Sequence, residues 1–253
     1  MYNVLLVIGL IFFNSVVFSA SNDGVYYNDG KIHYEGEITY KKNKIFFDLV
    51  DKNKTHDIYI NSGGGDVEQG MELGDFIYKN KMNVYITDYC FSSCANYIFT
   101  SGKNKFISEH ALIGYHGGAH SFKIDQFMIE QENYLKRKLT KKEIMHYNKE
   151  FNDHMKKITF EQDAFYSKRN INKKIASLGS NAYPNIKYDL DYYTIPDFKK
   201  LGVSDIHVIG GRNWEPKDSG HIIVINKNYK QNTKDKDKYK LMLLDVNDLP
   251  DFR

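Results

Sequence analysis

The sequence predicts an α/β protein built on a mainly parallel sheet with crossover helices. Two stretches carry this prediction: residues 56–80 run from a strand through a glycine turn to a helix, and residues 83–102 run from a strand to a short helix. Strands that alternate with helices favour parallel pairing. At 253 residues and 42% hydrophobic content, the chain suits one sizeable core with additions rather than two full domains.

The first elements follow from the spacing of apolar residues. KIHYEGEITY alternates as a strand does, and KIFFDLVDKN after it suits a short helix. Next, Ile58 and Ile60 belong to a strand, residues 62–65 form the turn, and apolar residues then recur at helical spacing. NVYITDYC predicts another strand, ANYIFTSG a short helix that ends at Gly102, and KFISEHALIGYHGG one or two further strands.

The second half of the chain begins with a long, charged helical region at about residues 122–168. Its second helix is predicted to start at Thr140, because Thr140 and Glu143 have the spacing of a capping box. Beyond this region the pattern turns to strands, and HIIVINK with KLMLLDV predicts a β-hairpin. The expected organisation is a main domain at 21–208 followed by a C-terminal β extension at 209–253.

Residues 1–20 predict an export signal. VLLVIGLIFF is too short to span a bilayer but has the length of a secretory hydrophobic region, and small residues follow at Ser19, Ala20 and Ser21. We expect cleavage there and a secreted or periplasmic protein with no stable membrane span. MYN carries no Lys or Arg, so an uncleaved anchor is the alternative.

The charge pattern argues against nucleic-acid binding. The 35 basic and 32 acidic residues are mostly interleaved and give a formal net charge of +3. Nucleic-acid sites need a basic stripe with interleaved aromatic residues, and the sequence has none. The Lys-rich stretch NKNYKQNTKDKDKYK suits a solvated loop instead.

Three features could carry chemistry, and each also has an ordinary structural explanation. INSGGGDV places the amides of a glycine turn before a helix, which suits an oxyanion or simply a tight turn, and it completes no nucleotide-binding motif. Ser92 or Ser93 at the start of a short helix could be a nucleophile or an N-cap. His116 ends a strand before two glycines, and with His120 it lacks the third ligand of a zinc site. No metal or cofactor is expected.

Cys90 and Cys94, the two cysteines of the chain, can form a disulfide only with a particular backbone geometry. In a regular helix, residues four apart have Cβ atoms about 5 to 6 Å apart, whereas a disulfide needs about 3.5 to 4.5 Å. A bridge therefore requires residues 90–93 to form a turn, with the helix starting near Cys94. Export would preserve such a bridge. Two free thiols and a redox pair are the alternatives, and the spacing disfavours the redox pair.

The order and spacing of these features resemble those of Clp-type serine proteases in the Clp/crotonase superfamily, especially exported Clp-like and signal-peptide-peptidase-like members. The resemblance covers about residues 32–206. YEGEI is similar to the family's first strand, INSGGGDVEQG to its I-N-S-P-G-G turn, and SCANYIFTSG to its nucleophile helix. The resemblance implies a Clp/crotonase-like fold of repeated ββα units with a mainly parallel sheet, here followed by the C-terminal β-hairpin extension.

The resemblance also implies a catalytic triad. Ser93 stands nine residues before the glycine that ends the helix, as the family's nucleophile does, and His116 ends ALIGYH where the family has its general base. Asp191 in DYYTIPDFKKLGVSDI matches the acid, and Asp189 is the nearest substitute because this segment is shorter than the family's.

The family's oxyanion hole corresponds here to the backbone N–H groups of Gly65 and Cys94. Such donors each stabilise the transition state by about 3 to 4 kcal/mol. Gly63 stands where the family has a proline, which alters the stiffness of the turn but not its amides.

The resemblance thus implies an exported serine peptidase that forms a homo-oligomer through the region 122–168. An exported protein has no access to a cytosolic ATP-driven unfoldase, so its substrates would be peptides, flexible segments or unfolded chains. One alternative is a catalytically inactive Clp-like binding or assembly module. Another is crotonase-type chemistry on an acyl thioester, which would use the same amide-lined hole without Ser93 as nucleophile.

Overall fold

The computed structural model describes residues 23–178, 190–211 and 214, and the backbone of two further strands at 221–224 and 240–243. The expected export signal at 1–20 therefore lies outside the described residues, as do the substitute acid Asp189 and most of the C-terminal extension. The boundaries expected for the main domain stay predictions.

Strands and helices alternate along the described residues. The strands are β1 (Gly24–Asn28), β2 (Lys31–Glu35), β3 (Asp57–Asn61), β4 (Asn83–Ile86), β5 (Tyr89–Phe91), β6 (Lys105–Ile107), β7 (Leu112–Tyr115), β8 (Asp191–Tyr193), β9 (Ile206–Val208), β10 (His221–Val224) and β11 (Lys240–Leu243). The α-helices are α1 (Tyr40–Asn53), α2 (Val67–Lys79), α3 (Ile124–Leu135), α4 (Lys141–Lys168) and α5 (Ile195–Lys200). None of these helices combines the length and the apolar composition that crossing a membrane requires.

The strands form two sheets. The first has six strands in the order β1-β2-β3-β4-β6-β9, and only β1 runs antiparallel to its neighbour. The second has five strands in the order β11-β10-β8-β7-β5, in which β7 and β8 pair antiparallel and the other neighbours pair parallel. This mainly parallel α/β architecture confirms the predicted fold class, although the sequence analysis did not identify β1.

The predicted C-terminal hairpin is wrong in strand direction. β10 and β11 are neighbours, but they run parallel, with His221 beside Lys240 and Val224 beside Leu243. A hairpin joins antiparallel strands through a tight turn, whereas a parallel pair needs a crossover of about a dozen residues or more. Fifteen residues separate the two strands in the sequence. β10 also pairs with β8, so the extension enlarges the second sheet rather than forming a separate hairpin.

Helix starts follow local capping signals. Thr39 and Asp66 cap α1 and α2, because the side chain of each accepts a backbone N–H of the first turn. α4 begins with the predicted capping box: Thr140 Oγ1 accepts the Glu143 N–H, and the Glu143 carboxylate accepts the Thr140 N–H. The predicted start of this helix is confirmed.

The central strands of the first sheet bury one face in the apolar core. The buried residues alternate along each strand, as the two-residue period of a strand requires: Ile32, Tyr34, Ile58, Ile60, Val84 and Ile86. Phe46 of α1 and Leu73 of α2 belong to the same core. The other face carries a row of rings, one from each strand, with neighbouring centroids 4.3–5.4 Å apart: Tyr26, His33, Tyr59, Tyr85, Phe106 and His207. Cross-strand ring pairs of this kind stabilise a sheet.

The C-terminal end of α4 is fixed to the core by a buried cation. The Arg169 side chain is only 1% exposed, and its guanidinium donates to the Asp75 carboxylate at 2.7 Å and to Ser101 Oγ at 2.9 Å. A third hydrogen bond joins it to the Phe165 carbonyl oxygen at 2.9 Å. Because Asp75 belongs to α2 and Phe165 to α4 itself, Arg169 holds the end of the long helix against α2.

We expect Arg169→Met to lower the free energy of unfolding by about 2 to 3 kcal/mol, because it removes several hydrogen bonds of a buried charged group. Lys168→Met is the matched control: Lys168 is 54% exposed and lies 3.5 Å from the same Asp75 carboxylate. An exposed ion pair of that kind contributes about 0.5 kcal/mol or less. Urea unfolding of both variants measures the difference, and equal effects would contradict the role assigned to Arg169.

Candidate active site

Ser93 lies just beyond a sharp turn between a strand and a helix. β5 ends at Phe91, Ser92 has a left-handed backbone with φ of +55°, and a π-helical segment follows at Cys94–Ile98. A residue other than glycine seldom adopts this conformation, so the turn is a strained feature held by its surroundings. The helix, which continues as a 3-10 turn at Phe99–Ser101 and ends at Gly102, matches the predicted extent.

The structure contains a Cys90–Cys94 disulfide across this turn. Cys90 lies in β5, Cys94 is the first residue of the π-helical segment, and their Cα atoms are 5.2 Å apart. The chain between them turns at Ser92 instead of continuing a helix, which is the geometry that the sequence analysis required for a bridge. The disulfide is therefore confirmed in the structure, and the free-thiol alternative is not.

The Ser93 side chain does not act as a helix cap. Its hydroxyl donates to the Gly65 carbonyl oxygen at 2.8 Å, and the residue is 2% exposed. The N-cap explanation of this serine therefore fails. The contact joins the two segments that the sequence analysis singled out, the glycine turn and the serine turn.

Two of the three glycines in the glycine turn have no room for a side chain. A Cβ on Gly64 would lie 2.7 Å from Ser92 Cβ and 2.9 Å from the Ser93 backbone nitrogen. A Cβ on Gly65 would lie 2.4 Å from the Ile38 carbonyl oxygen, and both glycines have positive φ values, +101° and +149°. By contrast, no atom lies within 4 Å of the equivalent position on Gly63. Glycine is thus required at 64 and 65 but not at 63.

His116 leaves the second sheet at the same edge as Ser93. β5 and β7 are parallel, with Phe91 beside Gly114, so Ser93 and His116 each follow the paired residues by two positions. The Ser92 N–H donates to the Gly114 carbonyl oxygen at 3.0 Å, which continues the pairing into the turn. The structure therefore brings the predicted nucleophile and the predicted base to adjoining strand ends.

The environment of His116 favours its neutral form. Burial lowers the pKa of His116 below the ordinary value of a histidine, and a hydrogen bond to its own backbone partly opposes this shift. A neutral imidazole is the form that can accept a proton from a hydroxyl. The electrostatics of this histidine thus suit a general base near neutral pH.

Asp191 begins β8, the strand antiparallel to β7, and it pairs there with Tyr115. The residue next to Tyr115 in the chain is His116, and Asp191 is 3% exposed. The three residues that the resemblance singled out therefore gather at the adjoining ends of β5, β7 and β8. The second candidate acid, Asp189, lies outside the described residues.

Two polar residues that the sequence did not single out hold the site together. Asn96 Nδ2 donates to the Gly117 carbonyl oxygen at 2.8 Å, which ties the helix after Ser93 to the residue after His116. Gln162 of α4 is 1% exposed and contacts the same loop. A lone Asn or Gln in a helix gives no local signal of such a role.

His120 does not join His116 in a metal site. Its Nε2 lies 2.9 Å from Asp163 Oδ1 on α4, and Lys173 donates to the other oxygen of that carboxylate at 2.6 Å. Within the part of the chain that the structure describes, no three potential ligands of the His, Cys, Asp and Glu types are grouped to hold a metal ion.

Comparison with known proteins places the chain in a family. The family model of the Clp protease matches residues 25–173. Among solved structures, the ClpP protease catalytic domain from Plasmodium falciparum is similar, with 18% identity, a TM-score of 0.34, and coverage of 70% of this chain and 82% of that chain. A mutant of the membrane-bound stomatin-specific protease 1510-N is similar with 14% identity, a TM-score of 0.36, and coverage of 70% and 76%. No curated protein matches the chain in sequence. Because the match to the family model covers more than half of this chain, the chain belongs to the Clp protease family.

Proposed function

We propose that this chain is an exported Clp-like serine peptidase that hydrolyses peptide bonds with Ser93, His116 and Asp191. Membership of the Clp protease family supports a Clp-like peptidase as the class of protein. The finer proposal rests on the placement of Ser93, beyond a left-handed turn and at the same sheet edge as His116.

The proposed mechanism assigns one task to each residue. Ser93 Oγ attacks the substrate carbonyl carbon while His116 accepts the hydroxyl proton, and His116 then gives that proton to the leaving amine. Asp191 holds the imidazole and stabilises its protonated form. Water then attacks the carbonyl carbon of the acyl-enzyme while His116 accepts a proton from it. His116 returns that proton to Ser93 Oγ as the acyl bond breaks, which restores the serine.

The proposed oxyanion hole consists of the Gly65 and Cys94 backbone N–H groups. Ile38 donates to the Gly64 carbonyl oxygen and accepts from the Asp66 N–H, so the Gly65 amide takes no part in that bridge. Cys94 follows the nucleophile directly, and its position is fixed by the disulfide. Before attack, the Ser93 hydroxyl must turn from the Gly65 carbonyl oxygen towards His116.

A noncatalytic Clp-like binding or assembly module is the second candidate. The hydrogen bond from Ser93 to Gly65 favours it, because a buried hydroxyl held on a carbonyl oxygen cannot at that moment give its proton to a histidine. The two candidates differ in whether Ser93 reacts.

Labelling by a fluorophosphonate tests the triad. We expect the wild type to be modified at Ser93, Ser93→Ala not to react, and His116→Ala to lose at least about 10⁴-fold in rate, because nucleophile and base act as a unit. Asp191→Asn is expected to lose less, since Asp189 is the substitute acid that the sequence offers. Labelling of His116→Ala at the wild-type rate would refute the base. A folded wild type that never reacts would favour the noncatalytic module.

The disulfide is proposed to position Ser93 and the Cys94 amide. Closing so short a loop contributes only about 2 kcal/mol on the chain-entropy model, which is too little to hold the whole fold. We expect reduction to slow the labelling of Ser93 while the far-UV spectrum stays almost unchanged. Intact mass after alkylation reports the bridge: two alkylated thiols without reductant would refute it, and an unchanged labelling rate after reduction would refute its positioning role.

We also propose that the protein forms a homo-oligomer through α3 and α4 and acts on peptides, flexible segments or unfolded chains. Large apolar side chains on these helices are strongly exposed in the single chain: Tyr134 at 79%, Met145 at 74% and Phe160 at 74%. These side chains are the proposed contacts between subunits.

Sedimentation of the mature protein at micromolar concentration tests the oligomer. We expect an oligomer that Phe160→Glu dissociates, because a buried carboxylate at an interface is costly. Tyr40→Glu is the control, since Tyr40 is 59% exposed on α1, which is not part of the proposed interface. A wild type that sediments only as a monomer would refute the proposed assembly.

A further inference from the structure

We propose that Gln162 is a positioning residue whose side-chain amide holds the loop after His116 against the helix that begins at Ser93. The effect on reactivity rests on the function proposed above, whereas the contact itself does not. Gln162 belongs to α4, which carries none of the proposed triad residues.

One oxygen of Gln162 joins the two segments that carry the proposed nucleophile and base. Its Oε1 accepts the Tyr97 hydroxyl at 2.7 Å and the Ala119 backbone N–H at 2.8 Å. Tyr97 lies one helical turn after Ser93, and Ala119 lies three residues after His116. A displacement of this oxygen would therefore move one segment relative to the other.

The loop packs directly on this amide. A Cβ on Gly118 would lie 2.6 Å from Gln162 Oε1 and 3.0 Å from Ala176 Cβ, so the backbone approaches as closely as glycine allows. The neighbouring residue of α4, Asp163, contacts His120 at 2.9 Å on the outer side of the loop. The contacts from α4 thus complement the Asn96 bond, which holds the same loop at Gly117.

Both donors need this acceptor. The Tyr97 hydroxyl and the Ala119 N–H are buried, and burial raises the pKa of Tyr97, so its hydroxyl remains a protonated donor. A buried donor without an acceptor is costly, and a chain avoids that cost by moving the donor to water or to another acceptor. Loss of the Gln162 oxygen would consequently shift the loop or the Tyr97 ring.

Three variants separate positioning from mere packing. Gln162→Leu fills a similar volume but removes the acceptor. Gln162→Glu keeps an acceptor oxygen at the same reach, and because burial without a neighbouring cation disfavours a charged carboxylate, the new side chain is expected to be the neutral acid. Asn53→Leu is the matched control, since Asn53 is an exposed amide on α1, outside the proposed interface, whose side chain donates only to the Leu49 carbonyl oxygen among its described contacts. Hydrogen exchange of residues 116–121 reports the loop. Fluorophosphonate kinetics at several probe concentrations report the maximal labelling rate separately from probe affinity.

We expect Gln162→Leu to speed hydrogen exchange in residues 116–121 by about tenfold or more, because the Ala119 N–H loses its acceptor. The maximal labelling rate of Ser93 should fall by about tenfold while probe affinity changes by less than about twofold, since geometry at the reacting atoms is what changes. Gln162→Glu should recover the maximal rate to within about threefold of the wild type. Asn53→Leu should match the wild type in both measurements.

Unchanged hydrogen exchange in a folded Gln162→Leu protein would refute the proposal that Gln162 holds the loop. Faster exchange with an unchanged maximal labelling rate, or failure of Gln162→Glu to recover that rate, would overturn the positioning role. If the wild type is never labelled but hydrogen exchange is faster in Gln162→Leu, the proposed peptidase activity is refuted while the contact between Gln162 and the loop is supported. Should Gln162→Leu not fold, Gln162→Asn keeps the amide but shortens its reach, and the same two changes are expected.

Discussion

The arrangement of the candidate site depends on the contact between two backbone turns, one after β3 and one after β5. Gly64 has no room for a Cβ beside Ser92 and Ser93, and Gly65 has none beside Ile38. β3 and β5 belong to different sheets, but Ser62, the residue after β3, forms a parallel bridge with Cys90 of β5, so the turns that follow these two strands meet. The close approach lets the Ser93 hydroxyl reach the Gly65 carbonyl oxygen, and it places the glycine amides next to the proposed nucleophile.

The long helix α4 fixes this edge from outside. Arg169 at its end bonds to Asp75 of α2, and Gln162, two turns earlier, bonds to Tyr97 and to the loop after His116. α4 thereby links the helix after the glycine turn, the helix after the serine turn and the histidine loop. A helix whose exposed face is also proposed to contact other subunits would connect assembly to the geometry of the site.

Features with a local signal could be predicted from the sequence. The capping box at Thr140, the glycine turn and the turn that precedes the helix at Cys94 each arise from residues close together in the chain. The direction of β11 could not be predicted, because apolar periodicity is the same for parallel and antiparallel strands. Gln162 could not be identified either, since its partners lie 43 and 65 residues away in the sequence. The order of glycine turn, serine turn and histidine predicted the site only through the family resemblance.

The disulfide and the left-handed turn at Ser92 have opposite effects on the stability of the folded chain. A left-handed backbone at a residue such as Ser92 costs about 1 to 3 kcal/mol, and closing the five-residue loop contributes about 2 kcal/mol on the chain-entropy model. The bridge joins the residues on either side of the turn, so it acts where the strain lies. It would not persist in a reducing compartment. The proposed export and the proposed nucleophile are therefore linked, because the oxidising environment preserves the bond that helps to hold Ser93 in its turn.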